Sequence, residues 1–370
     1  MNNKINNEFV ANFARNAGNV FDNALNWAND SKDPIISSNL KLKKDLRKSI
    51  YQAKKLEFAA LSKMCVGVYG ASQAGKSYLV SVLARKGAER LYAIMGKKDV
   101  DFIETINPEG GKESTGLVTR FTTDKVSTPE NYPIQARLLS EIDIIKTLAN
   151  SYVYDVSVGD DEQISDHVDI IEKLLKEVES YPTAQSFINI EDVYELEDYC
   201  NSRFTQNLRF IALKQSDFWN RVTEILPNTN DQGRKKIFEL LWEGLESYSQ
   251  IYDSLLNELN KLEHSKVIFC GPESLFDVKG EIWDRSNDSI INVSTLEKLG
   301  NNDISFVNVV NLNGKQTQIS RSNLTALVAE IVVQVKEQPH DFFLHTDLLD
   351  FPGARSRKVQ PKDNKILGSG

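Results

Sequence analysis

The chain has 370 residues, 41% hydrophobic and 26% charged, with a net charge of -8. That length allows two or three domains around a real core, and the acidic balance, with no basic run or basic–aromatic interleaving, argues against a nucleic-acid partner. Three widely separated cysteines, Cys65, Cys200 and Cys270, show no metal-ligand spacing, no apolar run approaches the ~20 residues of a membrane span, and the first seven residues lack the apolar core of a secretion signal, so a reduced cytoplasmic setting without a transmembrane segment is expected.

In chain order, residues 1–60 predict an N-terminal helical arm, with Phe9, Phe13, Val20 and Phe21, then Leu40, Leu42, Leu46 and Ile50, set among charges. Met64–Tyr69 is short, apolar and Val-rich, as a buried parallel strand would be. Residues from Lys76 carry a helical face of Leu79, Val80 and Leu83, stopped at Gly87. A second strand is expected around Leu117–Thr122, closing a first unit at 61–128.

From 129 to 265 the pattern turns helical. Its most regular stripe, Ile237, Leu241, Leu245, Tyr248, Tyr252, Leu255, Leu259 and Leu262, steps by threes and fours beyond Leu245 as a heptad seam would, which leaves two readings: packing within its own bundle, or a surface for self-association or a protein partner. Residues 266–340 return to an α/β pattern, with strands at Val267–Cys270, Ile290–Val293 and Ile304–Val310, a hairpin at Asn313-Gly314 leading to Gln316–Ile319, and a helix over Leu324–Val335. In the last segment, 341–370, Phe342–Leu349 predicts a strand running into Asp350-Phe351-Pro352-Gly353.

Residues 70–77, Gly-Ala-Ser-Gln-Ala-Gly-Lys-Ser, complete a G-x-x-x-x-G-K-S phosphate-binding loop between a strand and a helix. The glycines free the backbone so that successive N–H groups converge on a phosphate, and the helix N-terminus adds its dipole. Gly70, Ser72, Gln73, Ala74, Gly75, Lys76, Ser77 and Tyr78 form the candidate cradle; Lys76 would bridge the β- and γ-phosphates, and the Ser77 hydroxyl would ligate Mg²⁺. An acid at the end of a neighbouring strand holds Mg²⁺ in such sites, a role that suits Asp350, and the Gly353 N–H just beyond can sense the γ-phosphate. Gly110–Arg120 reads as a glycine-rich loop entering a strand, where Thr119 can offer its hydroxyl to Mg²⁺. His345 falls within a strand and is read as structural.

These three motifs resemble those of dynamin-like large GTPases. The fuller strings, Val68–Ser77, Ile106–Gly111 with Glu113–Gly116, and Asp350-Phe351-Pro352-Gly353-Ala354-Arg355, are closer to the SrfC-like bacterial virulence factors. The resemblance implies a bacterial cytoplasmic chain, with delivery to a host cell a property the family name allows. It further implies a three-layer α/β P-loop NTPase core with an N-terminal helical arm and a large, mainly helical insertion, binding Mg²⁺ and GTP, or ATP, and hydrolysing it. Ser72 and Gln73 stand in the opposite order from the dynamin-like pair, which puts turnover in more question than binding. No [NT]-K-x-D string follows Gly353, so the core is expected to be incomplete at its C-terminus and the base to be read differently.

Overall fold

The computed structural model describes residues 2–70, 75–87, 89–106, 116–156, 164–184, 186–300 and 303–353. Two long helices begin the chain, α1 (Asn2–Asp30) and α3 (Leu40–Leu61), joined by the single turn α2 (Pro34–Ser37). Asp33 and Asn39 cap α2 and α3 through side chains that accept from Ile35 N and Leu42 N. Then come β1 (Met64–Val68), α4 (Lys76–Ala84), the hairpin β2 (Tyr92–Met95) and β3 (Lys98–Asp101), β4 (Val118–Thr122) and β5 (Ile134–Leu138).

Among the described residues, seven α-helices follow: α5 (Glu141–Ser151), α6 (Ile164–Val178), α7 (Ile190–Arg203), α8 (Leu208–Gln215), α9 (Phe218–Ile225), α10 (Asp231–Phe238) and α11 (Glu246–Lys261). Capping boxes start α5, with Ser140 and Asp143, and α7, with Asn189 and Asp192. The remainder is β6 (Val267–Cys270), the separate hairpin β7 (Phe276–Lys279) and β8 (Ile282–Arg285), α12 (Val293–Leu296), β9 (Phe306–Asn311), β10 (Gln316–Ser320), α13 (Arg321–Leu327), β11 (Val328–Val335) and β12 (Thr346–Asp350).

Ten strands form one mixed sheet, in the order β1-β12-β4-β11-β5-β6-β9-β10, with β2 and β3 attached beside β11. Two pairings are parallel, β1 with β12 and β4 with β11. The stretch expected to be a helix over Leu324–Val335 divides instead: α13 ends at Leu327 and β11 runs through the middle of the sheet. Its β-branched run Ile331-Val332-Val333 fits a pleated surface between neighbours better than a helix, a tertiary preference that overrides the helical spacing. The expected strand at Ile290–Val293 is a turn entering α12, and Asp341–Leu344 is a 3-10 turn before β12. Asn313-Gly314 does turn β9 into β10, with Gly314 at φ +83°.

Burial alternates along the strands. Phe121, Ile134, Ala136, Ile268, Val307, Val309, Ile331, Val333 and Leu348 share a single apolar cluster with the inner faces of α4, α5, α11 and α13. The other face carries Arg120, Gln135, Arg137, Asn308, Gln318, Glu330 and Asp347, with buried Phe269, Val310 and Val332, half-buried Val118 and Leu349, and exposed Phe306 among them. Among the described residues, the large apolar cluster and the helices that share it lie against one face of the sheet. A mixed sheet tolerates this because one face can remain polar. Arg120 holds that face together: it donates to both oxygens of Glu330, at 2.7 and 2.9 Å, and to Asp347 Oδ2 at 3.1 Å. Arg137 reaches Glu330 Oε1 at 2.9 Å and Lys63 reaches Asp347 Oδ1 at 3.0 Å.

The heptad-like stripe in α10–α11 points inward. Ile237, Leu241, Tyr248, Tyr252, Leu255, Leu259 and Leu262 are buried within this chain, while Leu245 of the same stripe is exposed. It is interrupted by Glu243 and Gly244, both at positive φ. Beside it lies a buried polar group: Arg234 Nε and Tyr252 OH both donate to Glu141 Oε1, at 3.0 and 2.6 Å, tying α5 to α10 and α11. Beyond the end of α11, His264 stacks on Phe187 at 3.9 Å and hydrogen-bonds Asn260 Oδ1 at 2.9 Å.

Burial, with the positive charge of Arg234, pushes His264 down to about 4 from an ordinary 6.5. The unfolded chain takes up this proton near pH 6.5 and the folded chain only near 4, so the folded state loses stability as pH falls through that window. His264→Gln should lose less thermal stability between pH 7 and pH 5 than the wild type; parallel melting-temperature profiles would remove His264 as the cause.

Candidate functional site

Strand β1 ends at Val68, and the chain returns at Gly75 to begin α4. Gly75 is the N-cap of α4 at φ +77°, ψ 18°, a left-handed conformation that a side chain would strain, and it offers no side chain to cap the helix. Lys76, Ser77 and Tyr78 form the first turn of α4. Lys76 folds back over the start of the turn: a Cβ at Gly70 would stand 3.7 Å from its Cδ. Ser72, Gln73 and Ala74 lie outside the described residues, as do Gly110 and Gly111. Tyr78 is largely exposed on the outer side of the first turn.

Parallel pairing of β1 with β12 sets Val68 beside Asp350. Ser77 Oγ donates to Asp350 Oδ2 at 2.8 Å, so the helix that leaves the turn is fastened to a strand 273 residues away in sequence. Asp350 is 4% exposed, and its Oδ1 is buried without a hydrogen-bond partner among the described residues. Burial raises the Asp350 pKa, partly offset by the Ser77 hydroxyl and the charge of Lys76. A buried carboxylate oxygen without a donor is costly unless something else occupies its lone pairs. A hydrated cation fits that need.

Antiparallel pairing of β12 with β4 puts Thr119 directly opposite Asp350. Thr119 is 3% exposed. The glycine-rich loop before it is described again from Gly116, whose N–H donates to Ile291 O at 2.6 Å. Three segments, the first turn of α4, the start of β4 and the end of β12, therefore meet at one end of the sheet. Gly353 lies just past β12, partly exposed. Among the described residues no cluster of three or more His, Cys, Asp or Glu could hold a metal by itself; a hydroxyl–carboxylate set with one Asp suits Mg²⁺, which keeps several waters and takes further ligands from phosphate.

Sequence reasoning missed one pair. A Cβ on Gly67 would fall 2.5 Å from Phe351 Cε2, so the bare backbone at Gly67 admits the ring that follows Asp350. The ring lies across β1 and fixes the exit of β12. A glycine inside an otherwise apolar strand was the available signal, since such a glycine marks a close approach. His345 ends the 3-10 turn before β12.

The family model described as "Putative bacterial virulence factor" matches residues 24–367, and the chain belongs to that family. No curated protein matches the chain.

The Gly67–Phe351 contact is testable without any ligand. Gly67→Val should lower stability by about 1–3 kcal/mol through overpacking. In a Phe351→Ala background the same substitution should cost much less. Equal costs in the two backgrounds, read from denaturant unfolding, would show that the ring does not depend on the glycine.

Proposed function

We propose that this member of the virulence-factor family is a Mg²⁺-dependent nucleoside-triphosphate-binding protein that hydrolyses its nucleotide slowly, with GTP favoured over ATP by its resemblance to dynamin-like GTPases. The observation that carries the reading is the Ser77–Asp350 hydrogen bond, with Asp350 Oδ1 buried beside it and unpartnered among the described residues. A serine after the loop lysine and a strand-end acid converge here from opposite ends of the chain, and Thr119 faces the same acid across the ladder.

In this reading the first-turn amides of α4 and the Lys76 ammonium hold the β- and γ-phosphates. Ser77 and Thr119 supply hydroxyl oxygens to Mg²⁺, and Asp350 holds its water shell. The metal, when bound, neutralises charge on the bridging phosphate oxygens. Gly353 offers an N–H to the γ-phosphate, which makes the end of β12 sensitive to whether that group is present. Ala354 stands where some GTPases carry a water-orienting glutamine, and slow turnover follows. A Ser77 hydroxyl already oriented by Asp350 lowers the ordering cost of binding.

Calorimetric titration with a non-hydrolysable Mg²⁺-triphosphate should give a single site. Lys76→Ala should weaken it at least tenfold, about 1.4 kcal/mol, in a chain that still folds and melts cooperatively in the absence of nucleotide. Equal affinity in the two folded proteins would refute the assignment. Competition between GTP and ATP for a labelled nucleotide identifies the base, and multiple-turnover phosphate release separates an NTPase from a nucleotide-regulated binding module.

A further inference from the structure

Helix α1 is packed inside out. The side it turns to α3 is built from small residues: Ala11, Ala14 and Ala28 are buried, and Gly18 comes so close that an added Cβ would sit 3.4 Å from that of Ala53. Phe21 and Leu25 are half-buried, but four other large apolar residues are largely exposed. Phe9 is 69% exposed, Phe13 65%, Val20 63% and Trp27 59%.

These four residues are not scattered. With Asn16 and Asn23, both exposed, they complete the series 9, 13, 16, 20, 23 and 27, with alternating steps of four and three. That is the seam of a coiled coil, with Phe13, Val20 and Trp27 at one of its two repeating positions and Phe9, Asn16 and Asn23 at the other. Isolated surface apolar residues need no explanation, but a heptad row on a 29-residue helix does.

We propose that this row is a self-association seam, at which α1 of one copy packs against α1 of a second copy. The positions flanking it are Val10, Asn12, Ala17, Asn19, Ala24 and Asn26, none charged, so two identical helices meet without like-charge repulsion. Asparagines at seam positions favour one register between identical chains because each amide can pair with its counterpart. The exposed parts of the four large side chains amount to on the order of 500 Å² per copy. Two copies would bury about 1,000 Å² from these residues alone, the lower bound for a specific interface. A shallow groove between α1 and α3, lined by Phe13, Ala17, Phe21, Gln52, Ala53 and Leu56, runs beside the seam and can take aromatic rings from the partner copy.

A lipid surface fits less well. A helix that lies on a membrane carries Lys and Arg along its polar face, whereas α1 has Lys4 and Arg15 against Glu8, Asp22 and Asp30. Arg15 is already paired with Glu57 of α3 at 2.6 Å.

Sedimentation velocity of the whole chain tests the proposal. The wild type should pass from monomer to dimer between about 1 and about 100 µM, as expected for a small apolar interface. The double variant Phe13→Glu/Val20→Glu should stay monomeric throughout, with unchanged circular dichroism and melting, because both side chains are exposed in the monomer. Should that variant misfold, Val20→Leu supplies the second arm and should retain or tighten the dimer. A wild type monomeric at the highest concentration overturns the proposal, and its partition into neutral or anionic vesicles would reassign the seam to lipid. A dimer that survives the double substitution in a folded chain overturns it as well.

Discussion

The pairing of β11 on both sides is the constraint on which the rest of the molecule rests. This strand lies parallel to β4 and antiparallel to β5, and it also receives β2. It therefore joins the strands that carry Asp350 and Thr119 to the strands that follow the helical region. Every residue of β11 is at least partly buried, and its inward side chains Ile331 and Val333 sit in the cluster that the helices cover. Because one residue of slip would exchange the apolar and charged faces, the register of β11 is set twice, by Ile331 and Val333 below and by the Arg120–Glu330 pair above.

That charged pair explains how a sheet with one open face stays ordered. Arg120 is planar and multidentate, so it bridges β4 to β11 through Glu330 and to β12 through Asp347. With Lys63 and Arg137 the same acids receive ligands from the segment before β1 and from β5. Burial of the group costs solvation, and its cations and carboxylates offset that cost because nearly every charge has a partner of opposite sign. The result is a cross-strand brace on the side of the sheet opposite Thr119 and Asp350, which leaves the site's own face to hydroxyls and a carboxylate.

How much of this was legible in the sequence depended on whether the information was local. Gly70 to Ser77 is a contiguous string whose spacing follows from backbone geometry, so its place between β1 and α4 could be read directly. Asp350 was readable because an apolar strand runs into it, and the Asn313-Gly314 turn because its dipeptide encodes a positive φ. The pairing of Thr119 with Asp350 was suggested by chemistry alone, since nothing local specifies that β12 returns to β4. The fate of 328–335 was hidden because a run of Val and Ile suits a helix or a central strand, and only the neighbours decide. The polar sheet face was hidden for the related reason that Arg120, Glu330 and Asp347 are far apart in sequence. The outward seam of α1 was visible as apolar residues, but its direction was not, because the preference of α3 for the alanine side is a matter of how closely two backbones can approach.

The sheet order also bears on how the chain is made. Strand β1 is made well before β12, yet among the described residues β12 is its only sheet neighbour, nearly three hundred residues later. The Phe351 ring on Gly67 and the Ser77–Asp350 bond must both wait for that return. Until then Met64 and Val66 have no strand beside them, while the helices of the middle region can already condense through contacts local in sequence. The end of the sheet where α4, β4 and β12 meet is thus completed only once β12 is made, and a chain broken off before it would carry β1 and α4 without the strand that joins them.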